Sequence, residues 1–364
     1  MVGGYEGVRV LVTGGTGFIG SRLVERLVIE EKAEVRVLVH HWAKAAWVSR
    51  TSADLIEGDV TDPLSVKEAM QGCDVVFHCA AGAGPLEACE TINVEGTRVV
   101  LQSAVEEGVS RFVHLSTIVV HGPTPPDEAN EEDAFRPLGD PYADTKIKGE
   151  LLAWDFWKKK GLPVTVIRPT FVWGPRSPYY TIEPVQKIKK GQWSLVDKGH
   201  GLCHAVYVDN LVDAILLAGV RPEAVGNAFF VTDGGGYTWA AFYSGLARMV
   251  GVTSLPSASS TSWQMPIAFF LTGALGRIIY AMRRTPKAEP ARFLVRGVRF
   301  AIRMVKEFIG KKAPYPRPDM AMYAHTGRLD TSRAEALLGY QPRYNLDEAM
   351  HETEVWLRDQ NYLS

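Results

Sequence analysis

The sequence predicts an α/β protein: a doubly wound parallel sheet carrying a smaller, mostly helical lobe. Three observations carry that prediction. Short β-branched runs alternate with amphipathic helical stretches through the first half, a glycine-rich turn follows the first run, and the strict alternation stops after about Thr170. Alternation of this kind implies right-handed βαβ crossovers and a parallel sheet.

The strand-like runs are Val8–Val12, Val35–Val39, Leu55–Glu57, Val75–His78, Phe112–Leu115 and Val164–Ile167, and Ala228–Thr232 rejoins the sheet later. Val75–Phe77 is apolar throughout, as a strand covered on both faces must be. The clearest helical stretches are Ile19–Glu31, Val94–Glu107 and Tyr142–Lys160, and Pro123–Pro141, rich in Pro, Glu and Asp, reads as a loop. The domain expectation is a core over 1–172 to which 203–232 returns, with 173–202 and 233–350 forming the lobe.

A chain of 364 residues, 46% hydrophobic and 22% charged, can bury a substantial core. A net charge of −1 gives no bias toward nucleic acid. Cys73, Cys79, Cys89 and Cys203 form no CxxC pair and lie near no histidine cluster of zinc-like spacing, so no metal is expected and reduced thiols in a cytoplasmic protein are. No signal or transit peptide is recognisable before the first strand. The most apolar run, Met265–Met282, is short for a membrane span and is interrupted by Arg277.

Val10-Leu-Val-Thr-Gly-Gly-Thr-Gly-Phe-Ile-Gly20 is a strand, a glycine turn and a helix start. Gly14 and Gly15 permit the tight turn, Gly17 lets backbone approach a diphosphate, and Gly20 lets the helix pack closely. The helix N-terminus then offers amides and a positive dipole end to phosphates, with Phe18 and Ile19 opening that helix. This is the pattern of a Rossmann-type dinucleotide site. The second strand ends Val37-Leu-Val-His-His41, with Lys44 and Arg50 beyond and no carboxylate to hold a ribose 2′-hydroxyl. The cofactor is therefore NADP or NAD with a lean to NADP, and His40 is its candidate ribose-side residue. Asp59-Val60 sits where adenine would be met, although Asp59 also fits a simple helix cap.

Tyr142-Ala-Asp-Thr-Lys146 puts a phenol and an ammonium at i and i+4 on one helix face. A neighbouring ammonium is expected to lower the phenol's proton affinity, so that Tyr142 can exchange a proton with a substrate hydroxyl or carbonyl while hydride moves. Phe112-Val-His-Leu-Ser-Thr117 ends a strand at its carboxyl edge, where ligands bind in open α/β sheets. Thr117 is the first choice to orient the substrate oxygen and Ser116 the competitor, since register does not separate them.

Together these residues resemble the extended short-chain dehydrogenase/reductase superfamily. Thr13–Gly20, Asp59-Val60, Cys79-Ala80-Ala81, Asn93-Val-Glu-Gly-Thr97, Ser116-Thr117 with Val120-His-Gly122, Tyr142/Lys146, and Arg168-Pro-Thr170 with Val172-Trp-Gly-Pro175 fall in the order that superfamily uses. The resemblance implies that Ala80, Ala81, Pro169 and Thr170 line the cofactor on its nicotinamide side, that Lys146 also binds its ribose, and that the protein is a homodimer. Ala205–Val212 followed by Asn227–Gly234 is similar to the 3β-hydroxysteroid dehydrogenase-like branch, and His121 stands where many sugar-acting members carry tyrosine.

From Met265 to Lys312, eleven basic residues stand against Glu289 and Glu307. Arg292, Arg296, Arg299, Arg303 and Lys306 recur every three or four residues beside an apolar row, as in an amphipathic helix. Three readings stay open: peripheral contact with an anionic membrane surface, a lid whose arginines face water, and a patch for a substrate diphosphate. The expected activity is nicotinamide-dependent interconversion of a hydroxyl and a ketone on a lipophilic, steroid-like or acyl-derived small molecule. The alternative is a nucleotide-sugar epimerase or dehydratase that retains NAD through a transient keto-sugar.

Overall fold

The structure is a computed structural model and describes residues 2–122, 127–259 and 320–363. The basic segment 265–312 lies outside the described residues. Among the described residues no helix is long and apolar enough to cross a membrane.

Seven parallel strands form the sheet: β1 (Arg9–Thr13), β2 (Glu34–Val39), β3 (Asp54–Glu57), β4 (Val75–His78), β5 (Arg111–Leu115), β6 (Val164–Pro169) and β10 (Ala228–Val231). Their spatial order is β10-β6-β5-β4-β1-β2-β3. The chain winds outward from β1 to β3 and then restarts on the other side at β4. The gap between β1 and β4 is thus the switch point at which such sheets bind ligands. Two short strands, β7 (Phe171–Trp173) and β9 (Ala205–Tyr207), pair beside the sheet.

Strand alternation sorts the side chains onto two covered faces. Val10, Val12, Val37 and Phe77 pack with α1 (Phe18–Ile29) and α7 (Val208–Val220). Leu11, Val76, Phe112 and Val164 pack on the opposite face with α2 (Pro63–Met70), α4 (Thr97–Glu106) and α5 (Pro141–Lys160). Each such side chain removed from water contributes about 1.5–3 kcal/mol, which is why these strands read as unbroken apolar runs.

The helix expected over 94–107 begins instead as a π-helical turn, Thr91–Gly96, that follows α3 (Leu86–Glu90) and leads into α4. Close packing accounts for it. A Cβ on Gly149 of α5 would lie 2.5 Å from the Asn93 carbonyl oxygen, so bare backbone is what lets this turn reach α5. Capping sets the start of α5: Asp140 accepts from the Ala143 amide at 2.9 Å, Pro141 opens the helix, and Gly161 ends it in the left-handed conformation.

The chain divides into two units: 1–180, 204–235 and 328–353 in the first, and 181–203, 236–327 and 354–364 in the second. The expected boundaries change most at two stretches. Residues 173–180 stay with the sheet, and so does 328–350, which was expected in the lobe. The cause is burial: Ala334, Leu338 and Tyr340 join the core on the α1/α7 face, and the Tyr340 hydroxyl donates to the Thr232 carbonyl at 2.9 Å. The second unit contains α6 (Glu183–Lys189), α8 (Trp239–Met249) and the paired strands β8 (Leu195–Val196) and β11 (Ser257–Ala258). Trp193, Trp239, Tyr243 and Tyr323 form its aromatic cluster.

Candidate active site

The glycine turn is built by close contact. Gly14 has φ +68, and a Cβ there would meet the Ala80 amide nitrogen at 2.5 Å, so the turn lies directly on the backbone following β4. A Cβ on Gly20 would fall 2.3 Å from the Gly14 carbonyl oxygen, so the first turn of α1 packs onto the loop itself rather than only onto the strand. Gly17 is exposed and caps α1 with no side-chain hydrogen bond, which leaves the first amides of a twelve-residue helix open to an anion. Phe18 and Ile19 are the first residues of that helix and are half-buried. The cradle therefore fits a dinucleotide diphosphate.

At the ends of β2 and β3, His40 Nδ1 lies 2.9 Å from the Asp59 carboxylate, and the His40 and His41 rings meet edge to face at 4.0 Å. Asp59 does not cap α2. Asp62 does, accepting from the Leu64 and Ser65 amides. Asp59 instead accepts from the amide and hydroxyl of Thr61, both at 2.9 Å. Partial burial works against its charge, but the Thr61 bonds and the two histidines outweigh it and hold the carboxyl below its usual range. Val60 follows and packs against Gly96.

β5 and α5 bring the reactive groups together. Lys146 is buried, and its ammonium donates to the Leu115 carbonyl at 2.7 Å, which pins α5 to the carboxyl end of β5. The Thr117 hydroxyl lies beside the Tyr142 phenol, close enough to favour its ionised form. Ser116 points elsewhere: its hydroxyl donates to buried Glu150 at 2.6 Å. The ambiguity between Ser116 and Thr117 thus has a geometric resolution, with only Thr117 on the Tyr142 side. Ala80 and Ala81 follow β4, Pro169 closes β6, and the Thr170 hydroxyl donates to the Val231 carbonyl at 3.2 Å. All of these lie at the carboxyl edge of the sheet.

The electrostatics depart from the simple expectation. Burial pushes the Tyr142 phenol up to about 12, with Cys89 and Asp140 adding to the rise and the neighbouring Thr117 side chain opposing it. Burial also brings the Lys146 ammonium down to about 8, against the opposing pull of Glu150 and Cys79. Lys146 therefore does not by itself lower the phenol in the free protein. The oxidised nicotinamide would add the positive charge that favours a phenolate.

Three residues without an expected role, Asn93, Glu150 and Arg168, organise the site. Asn93 accepts from the Gly82 amide at 2.7 Å and donates both to the Gly82 carbonyl and to the Thr145 hydroxyl, each at 3.0 Å. It ties the loop after β4 to the turn of α5 between Tyr142 and Lys146. Glu150 and Arg168 form a buried ion pair, and the same guanidinium reaches His121 at 3.0 Å and the Glu131 carbonyl at 2.8 Å. The signal for Glu150 was its position four residues beyond Lys146, on the same helix face.

Comparison with known proteins agrees with this geometry. The model of the NAD dependent epimerase/dehydratase family matches residues 10–231. The chain is 32% identical to a 4-hydroxy-2-methyl-3-oxo-4-farnesyl-3,4-dihydroquinoline-1-oxide ketoreductase of Stigmatella aurantiaca, over 67% of this chain and 74% of that protein. It is likewise 32% identical to a 2-alkyl-3-oxoalkanoate reductase of Stenotrophomonas maltophilia, over 62% of this chain and 71% of the relative. It is 26% identical to a UDP-glucose 4-epimerase of Vibrio cholerae over 84% and 90% of the two chains. The fold is also that of UDP-glucuronic acid 4-epimerase from Bacillus cereus in complex with NAD, with a TM-score of 0.71, 19% identity, and coverage of 98% of this chain and 100% of the other. Glycine cradle, strand-end hydroxyl and tyrosine–lysine helix thus coincide with a family match over more than half the chain: the protein is an enzyme of the NAD dependent epimerase/dehydratase family, within the extended short-chain dehydrogenase/reductase superfamily.

Proposed function

We propose that the enzyme interconverts a hydroxyl and a ketone on a lipophilic, acyl-derived small molecule, with Tyr142 as acid/base, Thr117 orienting the substrate oxygen and Lys146 supporting Tyr142. The observation that carries this reading is the placement of the Tyr142 phenol beside the Thr117 hydroxyl, on the helix that the Lys146–Leu115 clamp holds to β5. Two hydroxyls so placed can both address one substrate oxygen, Thr117 by donating a hydrogen bond and Tyr142 by giving or taking the proton. A nicotinamide bound there would supply or accept the hydride. Gly14, Gly17, Phe18, Ile19 and Gly20 hold its diphosphate, Ala80, Ala81, Pro169 and Thr170 line the nicotinamide end, and Lys146 binds the adjoining ribose.

A lipophilic ketone is favoured over a sugar because two relatives at 32% identity are named as reductases of ketones that carry a farnesyl or an alkyl group. One feature of the structure joins the motifs that resemble the 3β-hydroxysteroid dehydrogenase-like branch. Asp233 accepts from the Tyr207 amide at 2.9 Å and from Asn210 at 2.7 Å, locking the end of β10 onto the start of α7. The cofactor leans to NADP on account of His40, His41, Lys44 and Arg50, which are all exposed around the end of β2. The same reading includes a homodimer through α4 and α5, with Leu151 exposed on α5, and peripheral contact of segment 265–312 with anionic membranes.

The test is to offer the purified enzyme a 2-alkyl-3-oxoalkanoate with NADPH or NADH, and separately UDP-glucose. Loss of nicotinamide absorbance with the keto acid, faster with NADPH, is the expected result. Interconversion of the UDP-sugar with retained NAD, and no reduction of the keto acid, would make the protein an epimerase instead.

A further inference from the structure

Helix α5 carries two buried charges on one face, Lys146 and Glu150, which are 3% and 0% exposed. Residues four apart are neighbours on a helix surface, and an ammonium and a carboxylate so spaced ordinarily pair. Away from water the attraction between them is stronger still. Yet among the described residues no hydrogen bond or ion pair joins these two. Each goes instead to the end of β5, and to consecutive residues of it. The Lys146 ammonium donates to the Leu115 carbonyl at 2.7 Å, and the Ser116 hydroxyl donates to Glu150 at 2.6 Å.

Arg168, the penultimate residue of β6, accounts for the separation. Its Nε lies 3.1 and 3.2 Å from the two Glu150 oxygens, and its Nη2 lies 2.5 Å from Oε1. The Trp154 indole also donates to Oε1, at 3.1 Å. A carboxylate offers about four lone-pair sites, and these donors together with Ser116 occupy them. The guanidinium is fixed in its turn. Its Nη1 reaches His121 Nε2 at 3.0 Å and donates to the Glu131 carbonyl at 2.8 Å, and the Phe135 ring lies 5.3 Å from its central carbon. A planar fork held on both sides stays on its carboxylate, as a single flexible ammonium would not.

We infer that Arg168 is a positioning residue for Lys146: by filling the Glu150 carboxylate, it withholds from Lys146 the helix partner that would otherwise capture the ammonium. Two of the three ammonium donors are then left for the nicotinamide ribose, beside the one that clamps Leu115. Glu150 stands close enough that its charge opposes the burial that lowers Lys146. A buried carboxylate deprived of its guanidinium must find another cation, and Lys146 is the one a single helical turn away.

The inference rests on the proposed role of Lys146, but its test needs no substrate. Protein labelled with ¹³C at lysine Cε is titrated by NMR, and the Lys146 resonance is assigned by its loss in Lys146→Met. The wild-type midpoint is expected at about 8. Arg168→Met frees Glu150 to take the ammonium and should raise the midpoint by about one pH unit. Arg168→Met combined with Glu150→Leu leaves no carboxylate to capture it and should bring the midpoint back to the wild-type value or below, and Arg168→Lys, which still occupies Glu150, should stay near wild type. An unmoved or lowered midpoint in Arg168→Met overturns the proposal. So does a rise that persists in the double variant, since that reports only a loosened site. Should Arg168→Met not fold, a crystal structure of the wild-type enzyme with bound nucleotide decides: the ammonium on the ribose and Glu150 still in the Arg168 fork supports the proposal, and a Lys146–Glu150 hydrogen bond overturns it. A protein that reduces no ketone, yet shows the rise and its reversal, loses the proposed function and keeps this inference. A ketone reductase with an unmoved midpoint shows the reverse.

Discussion

At the scale of the residue, the site separates chemistry from support. Tyr142→Phe removes the exchangeable proton and little else, so turnover should fall about 10²–10⁴-fold while calorimetry finds cofactor affinity nearly unchanged. Wild-type turnover by that variant would refute the assignment. Ser116 and Thr117 are adjacent and chemically similar, but their partners differ. Thr117→Val should depress kcat with little change in melting temperature. Ser116→Ala leaves one buried Glu150 oxygen without its hydroxyl partner and should cost about 1–3 kcal/mol in urea unfolding, with a smaller effect on rate. The opposite pattern would mean that the two hydroxyls have exchanged roles.

At the scale of the element, α5 serves the site through contacts distant from Tyr142. Its N-terminus is set by Asp140, its middle is drawn against the Thr91–Gly96 turn at Gly149, and its last buried turn carries Glu150 to Arg168. Gly149→Ala puts a methyl 2.5 Å from a backbone oxygen that has no side-chain freedom to yield. The helix must lift, Asn93 and Thr145 must separate, and unfolding should shift by about 1–3 kcal/mol with a parallel loss of turnover. Equilibrium denaturation beside steady-state rates checks this, and a fully active, fully stable variant would show that the helix has slack there.

At the scale of the whole molecule, pH stability follows from the buried histidines. His78 is held near 3 in the folded protein, and an unfolded histidine titrates near about 6.5. Between those values the unfolded chain binds more protons than the folded one, so stability rises with pH. The contribution is complete above about 6.5 and is lost as pH falls toward the folded value, with His114 acting in the same direction. Melting temperature should therefore decline steadily below about pH 6.5, and less steeply in His78→Gln. An equal slope in that variant would place the proton uptake elsewhere.

Much of this was legible in the chain itself. Strand runs, glycine turn and the i, i+4 pair are local patterns, and local patterns survive reading in one dimension. What was not legible depends on register and tertiary contact: which of Ser116 and Thr117 faces Tyr142, that Asp62 rather than Asp59 caps α2, that burial rather than the ammonium dominates the phenol, and that 328–350 returns to the sheet unit.

That last return bears on how the protein is made. Ala334, Leu338 and Tyr340 complete the hydrophobic layer over α7 and the end of β10, and a ribosome adds them only after every strand of the sheet. All seven strands can emerge and pair before this seal exists. A nascent chain stalled ahead of Ala334 would thus present a greasy, half-closed intermediate, the kind of species that chaperones detain and proteases remove.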